Sequence, residues 1–411
     1  MVIRDDSMNP QTTRNTITRN TILALVGLLA LCVYILACTS FSPDDTKVLY
    51  PAFDGPSGAV GVAVYDREKG SSEMAFVPTM IGDNDANENT AKPALMRPQW
   101  MADGQRFLIS WGGDNAPDGL TLAVMPWNAR GPLRLFNFGK IEEHTLASPL
   151  CVAGDRVFLI ESDNRILRLN VKTGEILRRD VGSGKPGDSK LVLPKTKITL
   201  LPDPNDQGVF YLEAHGEGTK TVFGRLNPDD LALSPLASFT NDLAEDSFFA
   251  CDPERCAFLE KAQPLPQLVV LEDGRPVFRR PIGAKGEELN FASAVFSKRG
   301  DSLLAGFRRK RDGQPGASYG LMEIPLNDQP VRETVLISTS AAGDSGEAAF
   351  FEFGISHDGK TAAAASTYLA CGDKDFKAGD CALFFIDLSD SNRKVTKVPI
   401  PLPKQRPAAG K

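Results

Sequence analysis

The chain has 411 residues, 42% of them hydrophobic, enough to bury a large core. Its formal net charge of -6 and pI near 5.4 exclude a protein built to coat nucleic acid, whose electrostatic footprint is basic. The three histidines, His144, His215 and His357, are too widely spaced for a helical metal motif.

In chain order, residues 1–20 form a polar segment bearing Arg4, Arg14 and Arg19, read as cytoplasmic. Residues 21–38, "TILALVGLLALCVYILAC", carry no charge. Such a run is just long enough for a bilayer span of about 17–25 residues, and long for a secretory signal core of ~7–15. The arginines ahead of it predict that everything after Cys38 is exported. Two readings of its end stay open. "ILACTS" resembles the bacterial lipobox, with Ile35, Ala37 and Cys38 in place and Leu36 larger than usual, which makes Cys38 the lipidation site. The alternative is an uncleaved signal anchor that happens to end in Cys. Either way, residues 39–411 are tethered outside the cytoplasm.

The exported chain repeats itself. "FSPDDTKVLYPAF", "PQWMADGQRFLISW", "PLCVAGDRVFLIE", "PDPNDQGVFYLEA", "FFACDPERCAFLE", "AVFSKRGDSLLAGF" and "FGISHDGKTAAAAS" share an order of apolar entry, polar turn and strand. One turn residue from each gives Asp45, Gly104, Gly154, Gly208, Arg255, Gly300 and Gly359, at intervals of 59, 50, 54, 47, 45 and 59. A second series follows each turn: "VGVAVYDREKG", "LTLAVMPWNARG", "RILRLNVKTGE", "TVFGRLNPDD", "LVVLEDGR", "YGLMEIPLND" and "CALFFIDLSD". Short apolar runs rich in Val, Leu, Ile and Phe, bounded by Gly, Asp, Asn and Pro, read as strands, and no segment after residue 40 sustains a helical period. A period near 50 with about four strands per unit predicts an all-β, seven-bladed β-propeller of antiparallel blades over residues 39–411. In this reading each turn reverses the chain between the first two strands of a blade, and Gly359 supplies a positive φ there.

"FSPDDTKVLY", "WMADGQRFLIS" and "ISHDGKTAAAAS" resemble the S-x-D-G-K/R blade motif of TolB-like and WD40-like bacterial propellers, and "DNRILRLNVKTGEIL" is similar to blades of quinoprotein-like propellers. The resemblance is strong in blades one, two and seven. Arg299 replaces the acidic residue in blade six, and blades four and five keep little of the motif. It implies a fold shared by unrelated functions.

The two longest intervals place extra loop length around blades six, seven, one and two, where a rigid scaffold carries its binding residues. In "GDNDANENT", Asp83, Asp85, Asn87 and Asn89 alternate as in a calcium loop, but Glu88 stands where Gly is expected and no Glu closes the loop. A solvated polar loop is the competing account, and no other cofactor motif is legible. "RRKR", Arg308, Arg309, Lys310 and Arg311, is the one basic cluster, read as a hairpin tip that either is simply solvated or meets an acidic partner such as a cell-wall polymer or lipid head group. "CDPERC" and "CGDKDFKAGDC" are spaced so that Cys251–Cys256 and Cys371–Cys381 disulfides could join neighbouring strands, with free thiols the alternative for both pairs and Cys151 left over as a small buried hydrophobe. Trp100, Trp111 and Trp127 read as core. No nucleophile elbow or zinc spacing is present. The expectation is therefore a membrane-tethered binding or scaffold module of the bacterial envelope with a protein or polymer partner. The alternative is an exported hydrolase or lyase acting on carbohydrate or peptide through carboxylates near the channel mouth.

Overall fold

A computed structural model of the protein describes residues 39–53, 60–76, 98–111, 121–128, 132–138, 151–161, 165–180, 196–202, 208–215, 220–239, 248–314, 316–339, 353–366 and 381–400. They form seven four-stranded antiparallel sheets, and no helix occurs among the described residues. The blades run Ser40–Phe76, Gln99–Asn137, Cys151–Asp180, Thr196–Phe239, Phe249–Pro281, Glu287–Ser338 and Gly354–Pro399. In each, four strands, here a to d, follow one another as a meander. The seven-bladed expectation is met, and all seven turn residues of the repeat series lie at the a–b reversals.

Strands b and c read as unbroken apolar runs because both faces of a blade are covered by neighbours. In blade seven, strand b is β26 (Thr361–Ala365) and strand c is β27 (Ala382–Asp387). Ala362, Ala364, Phe384 and Ile386 pack against blade six, while the alternate residues Ala363, Ala365 and Leu383 pack against blade one. The core is thus seven apolar clusters, one in each seam between adjacent blades.

Strand d carries a bulge against strand c in blades one, four, five and six. Glycine serves this close approach: a Cβ on Gly320 would lie 2.0 Å from the Thr334 carbonyl oxygen, and one on Gly224 would lie 2.4 Å from that of Ser234.

Each blade comes from one continuous segment, so among the described residues no strand is exchanged to close the ring. Closure rests on side chains between blades seven and one. Phe41, Tyr50 and Ala63 pack with Leu383 and Cys381. Thr39 donates its hydroxyl to the Ala363 carbonyl at 2.7 Å and accepts the Gly354 N–H at 2.8 Å. The Asp45 carboxylate accepts the backbone N–H groups of His357 and Asp358 at 2.6 and 2.9 Å, with His357 Nδ1 3.1 Å away. Arg67 spans the same seam, donating to the Asp45 carbonyl and to Thr361 Oγ1.

Candidate functional site

The meander puts the a–b and c–d turns on one face of the ring and the b–c and d–a connections on the other. On the first face, the repeated motif acts structurally. In blade one Ser42 Oγ donates to Asp44, whose carboxylate also accepts the Thr46 N–H, while Ser42 Oγ accepts the Lys47 N–H. Blade seven repeats the network with Ser356, Asp358, Lys360 and Thr361. Asp103 and Asp252 cap their own turns in blades two and five.

In blades one, two and five the basic residue three places after the turn Asp bolts its blade to the next. Lys47 Nζ sits 4.8 Å from the ring centre of Trp127 in blade two. Arg106 reaches Asp155 of blade three at 2.9 Å, and Arg255 reaches the Gly300 carbonyl of blade six at 2.7 Å. Arg156 at the equivalent reversal pairs with Asp229 at 2.7 Å, and Arg225 donates to the Pro253 carbonyl at 2.9 Å. The Lys47, Arg106 and Arg255 bolts were missed in the sequence, although a K/R three places after the turn Asp was their signal, whereas Arg156 and Arg225 carry no such mark. This face is therefore occupied with holding the ring together.

Of the residues singled out for binding, the basic cluster runs towards the opposite face at the end of its strand. Asp83, Asp85, Asn87, Asn89, Cys38 and Cys371 lie outside the described residues. The basic cluster is described, and it is not on a hairpin tip. Strands a and b of blade six, β21 (Glu287–Phe296) and β22 (Ser302–Arg311), are each 10 residues long, and "RRKR" is the last stretch of β22. Register sets Glu287 opposite Arg311, Glu288 opposite Lys310 and Asn290 opposite Arg308. Arg308, only 6% exposed, donates to Glu288 at 2.6 Å. Arg309 is paired with Glu333 of β24 (Arg332–Ser338) and lies 3.4 Å from Glu287, which also accepts from Arg311 Nε at 2.9 Å. Burial alone would lower the Arg308 and Arg309 pKa values, but hydrogen bonds from Arg308 to Glu288 and Tyr319, and from Arg309 to Glu333, outweigh it and raise both. The fold turns the cluster into a ladder of ion pairs, with Arg311 the exposed end.

Cys251 and Cys256 face each other in β17 (Phe249–Cys251) and β18 (Arg255–Glu260). The disulfide expected there is not formed: the sulfurs are 3.6 Å apart, as two thiols in hydrogen-bonding contact. Burial pushes the Cys251 thiol well up in pKa, so it stays protonated and a poor nucleophile. Cys381 is buried in the closure seam. Trp100 is buried between blades one and two, and Trp127 is half-buried beneath Lys47; the Trp111 side chain lies outside the described residues. Among the described residues no group of three or more His, Cys, Asp or Glu is placed to hold a metal ion.

No family model matches the sequence, and no curated protein matches it. Among solved structures, the fold is similar to that of oligogalacturonate lyase from Vibrio parahaemolyticus, with 10% identity, 86% of this chain and 85% of that chain covered, and a TM-score of 0.50. It is also similar to a chain of the complex of KlAtg21 with the coiled coil of AgAtg16, with 9% identity, 90% and 100% covered, and a TM-score of 0.51. At these identities the likeness extends to the propeller fold alone.

Proposed function

We propose that this chain is a membrane-tethered β-propeller of the bacterial envelope that works as a non-enzymatic binding or scaffold module, through the face carrying the b–c and d–a connections. The observation that carries the reading is the contrast between the two faces. On one, arginines and turn carboxylates are committed to neighbouring blades and to their own backbones. On the other, the connections vary most in length, as between Phe76 and Gln99 or between Ser338 and Gly354. The envelope address rests on the uncharged residues 21–38 behind Arg4, Arg14 and Arg19. Within this reading, Cys38 is the lipid or anchor junction, Cys371 pairs with Cys381 across their connection, and calcium at Asp83, Asp85, Asn87 and Asn89 is an optional ligand.

The test is affinity capture from native envelope with a C-terminally tagged chain. Wild type is compared with a variant whose residues 77–97 and 340–352 are replaced by Gly/Ser, and with a control carrying Glu68→Ala and Lys172→Ala on the opposite face. A partner held by wild type and control but lost from the loop variant is the expected result. If a correctly folded wild type captures nothing that the loop variant does not, the scaffold reading fails. Assays for hydrolysis or β-elimination of acidic polysaccharides and peptides then take its place.

A further inference from the structure

We infer that Cys251 and Cys256 are an oxidation site: they close to a disulfide by exchange with a disulfide oxidant while the seam between blades four and five is open, and the closed seam then shields the bond. The site needs neither the tether nor a partner. The two residues are opposed in register between β17 and β18. The Asp252 N–H donates to the Arg255 carbonyl at 2.9 Å, so Cys251 and Cys256 occupy the next, non-hydrogen-bonded position of the ladder. That position brings opposed residues closest, at about 4.5 Å between Cα atoms, inside the roughly 4.4–6.8 Å that a disulfide spans. The sulfurs are already 3.6 Å apart and need only rotate towards each other.

Packing decides when the exchange takes place. Both cysteines face blade four, in one cluster with its Phe210 and Phe223, and they are 8% and 1% exposed. In the closed ring Cys256 is sealed and Cys251 nearly so, and burial keeps the Cys251 thiol protonated. Exchange therefore belongs to states in which the hairpin has formed but blade four is undocked. There the Cys251 thiolate attacks an oxidant R–S–S–R, forming a mixed disulfide and releasing one R–S⁻. The Cys256 thiolate then attacks the Cys251 sulfur and displaces the second R–S⁻. Two electrons pass to the oxidant, and its two thiolates take up the two protons. The oxidant is a small-molecule or protein disulfide, a class that belongs to oxidising compartments outside the cytoplasm. The bond staples the base of the turn in "CDPERC". Its Pro253 carbonyl accepts from Arg225 of blade four, and its Arg255 donates to Gly300 of blade six, so one stapled reversal carries bolts to both neighbours.

The experiment uses the full chain. Reduced, unfolded protein is refolded in a buffer of glutathione and glutathione disulfide, and folded reduced protein is placed in the same buffer. Free thiols are then alkylated and the chain is cut with trypsin. Arg255 lies between the two cysteines, so cleavage leaves Cys251 in residues 226–255 and Cys256 in residues 256–261, joined only by the bond. Refolded protein should yield this linked pair, and folded protein should form it many times more slowly. Arg225→Ala, which removes the bond to the Pro253 carbonyl across this seam, should speed oxidation of the folded protein severalfold. Arg106→Ala, at the seam between blades two and three, should not. Should Arg225→Ala fail to fold, wild type in urea below its transition takes its place, with the same acceleration expected. Alkylated Cys251 and Cys256, or glutathione adducts on them, in correctly refolded wild type overturn the site. Equal rates for folded and unfolded chains, or for the two variants, overturn its control by the seam.

Discussion

The seam between blades five and six and the seam between blades seven and one do the same job with opposite chemistry. At the first, Arg255, clamped by its own turn carboxylate Asp252, donates forward to the Gly300 carbonyl. Arg280 adds bonds to the carbonyls of Pro325, Asn327 and Gln329. At the closure seam the corresponding residue of blade seven is Thr361, too short to reach. Arg67 of blade one reaches back to it instead, and a carboxylate, Asp45, receives backbone N–H groups across the gap. Asp45 stands where the other repeats place Gly104, Gly154, Gly300 or Gly359, and it takes their left-handed backbone, with φ 59° against 60–70°. The ring is joined where one blade gives up the permissive residue in order to gain an acceptor.

The largest expected effect comes from prising this joint open. A Cβ on Gly354 would lie 2.7 Å from the Thr39 carbonyl oxygen, in backbone that has nowhere to go. Gly354→Ala should cost about 3 kcal/mol, as overpacking of a tight contact does, read as a drop in urea midpoint. Gly154→Ala is the counterpart away from closure. Its Cβ would meet nothing within 4 Å, so only the positive φ is penalised, at roughly 1 kcal/mol. Equal losses in the two variants would show that the closure seam is no tighter than the rest.

Next is Thr39→Val, which keeps the shape but removes the hydroxyl shared by Ala363 and Gly354. The buried Ala363 carbonyl and the half-buried Gly354 N–H lose their partner, a loss of about 2 kcal/mol. Hydrogen exchange should rise first at Gly354 and in β26, before the interior blades respond. Exchange rising uniformly round the ring would mean that closure is not a local joint.

Asp45→Gly is smaller because two effects oppose. The backbone strain of an αL non-glycine residue, about 1 kcal/mol, is relieved, while the bonds to His357 and Asp358 are lost. A net destabilisation of about 1 kcal/mol is expected, with Asp45→Asn, which tolerates αL and keeps an acceptor, between the two. A more stable Asp45→Gly would show that the carboxylate contributes nothing to closure.

These seams also show what could be read in advance. The a–b turns were legible because an acidic turn, a small residue and a following strand form a local pattern. So were strands b and c, since a run such as Ala362–Ala365, buried on both faces, advertises itself by lacking polar residues. Closure was not legible, because Asp45 and His357 are 312 positions apart and nothing local to either marks the partner. The reading of "RRKR" as one cationic patch failed to pair strands: "EEL" at Glu287–Leu289 lies opposite it in register, and Glu333 joins from two strands away. The Cys251–Cys256 spacing correctly placed the two residues face to face, but opposition in register only permits a bond and does not form one.

The smallest effect separates the turn networks from the bolts. Burial opposes ionisation of Asp44 and Asp358. It is outweighed at Asp44 by the Ser42 hydroxyl and the Thr46 N–H, and at Asp358 by the Lys360 N–H and the Ser356 hydroxyl, so both pKa values lie below the usual carboxylate range. Asp103 is lowered in the same way, by the Gln105 N–H and Arg106 against its burial. A carboxylate depressed in the folded state binds protons more readily when unfolded. Its contribution is therefore complete above the unfolded value of about 3.9 and is lost as pH falls through the lower folded value. Urea midpoints should be flat from about pH 7 to 5 and decline below about pH 4. Ser356→Ala removes one of the groups that hold Asp358 down, so the gap between this variant and wild type should narrow over that same acid range. A gap that stays constant as the carboxylates protonate would mean that Ser356 acts only through its bond to the Thr361 N–H, and that the turn carboxylate is not the element the repeat is built around.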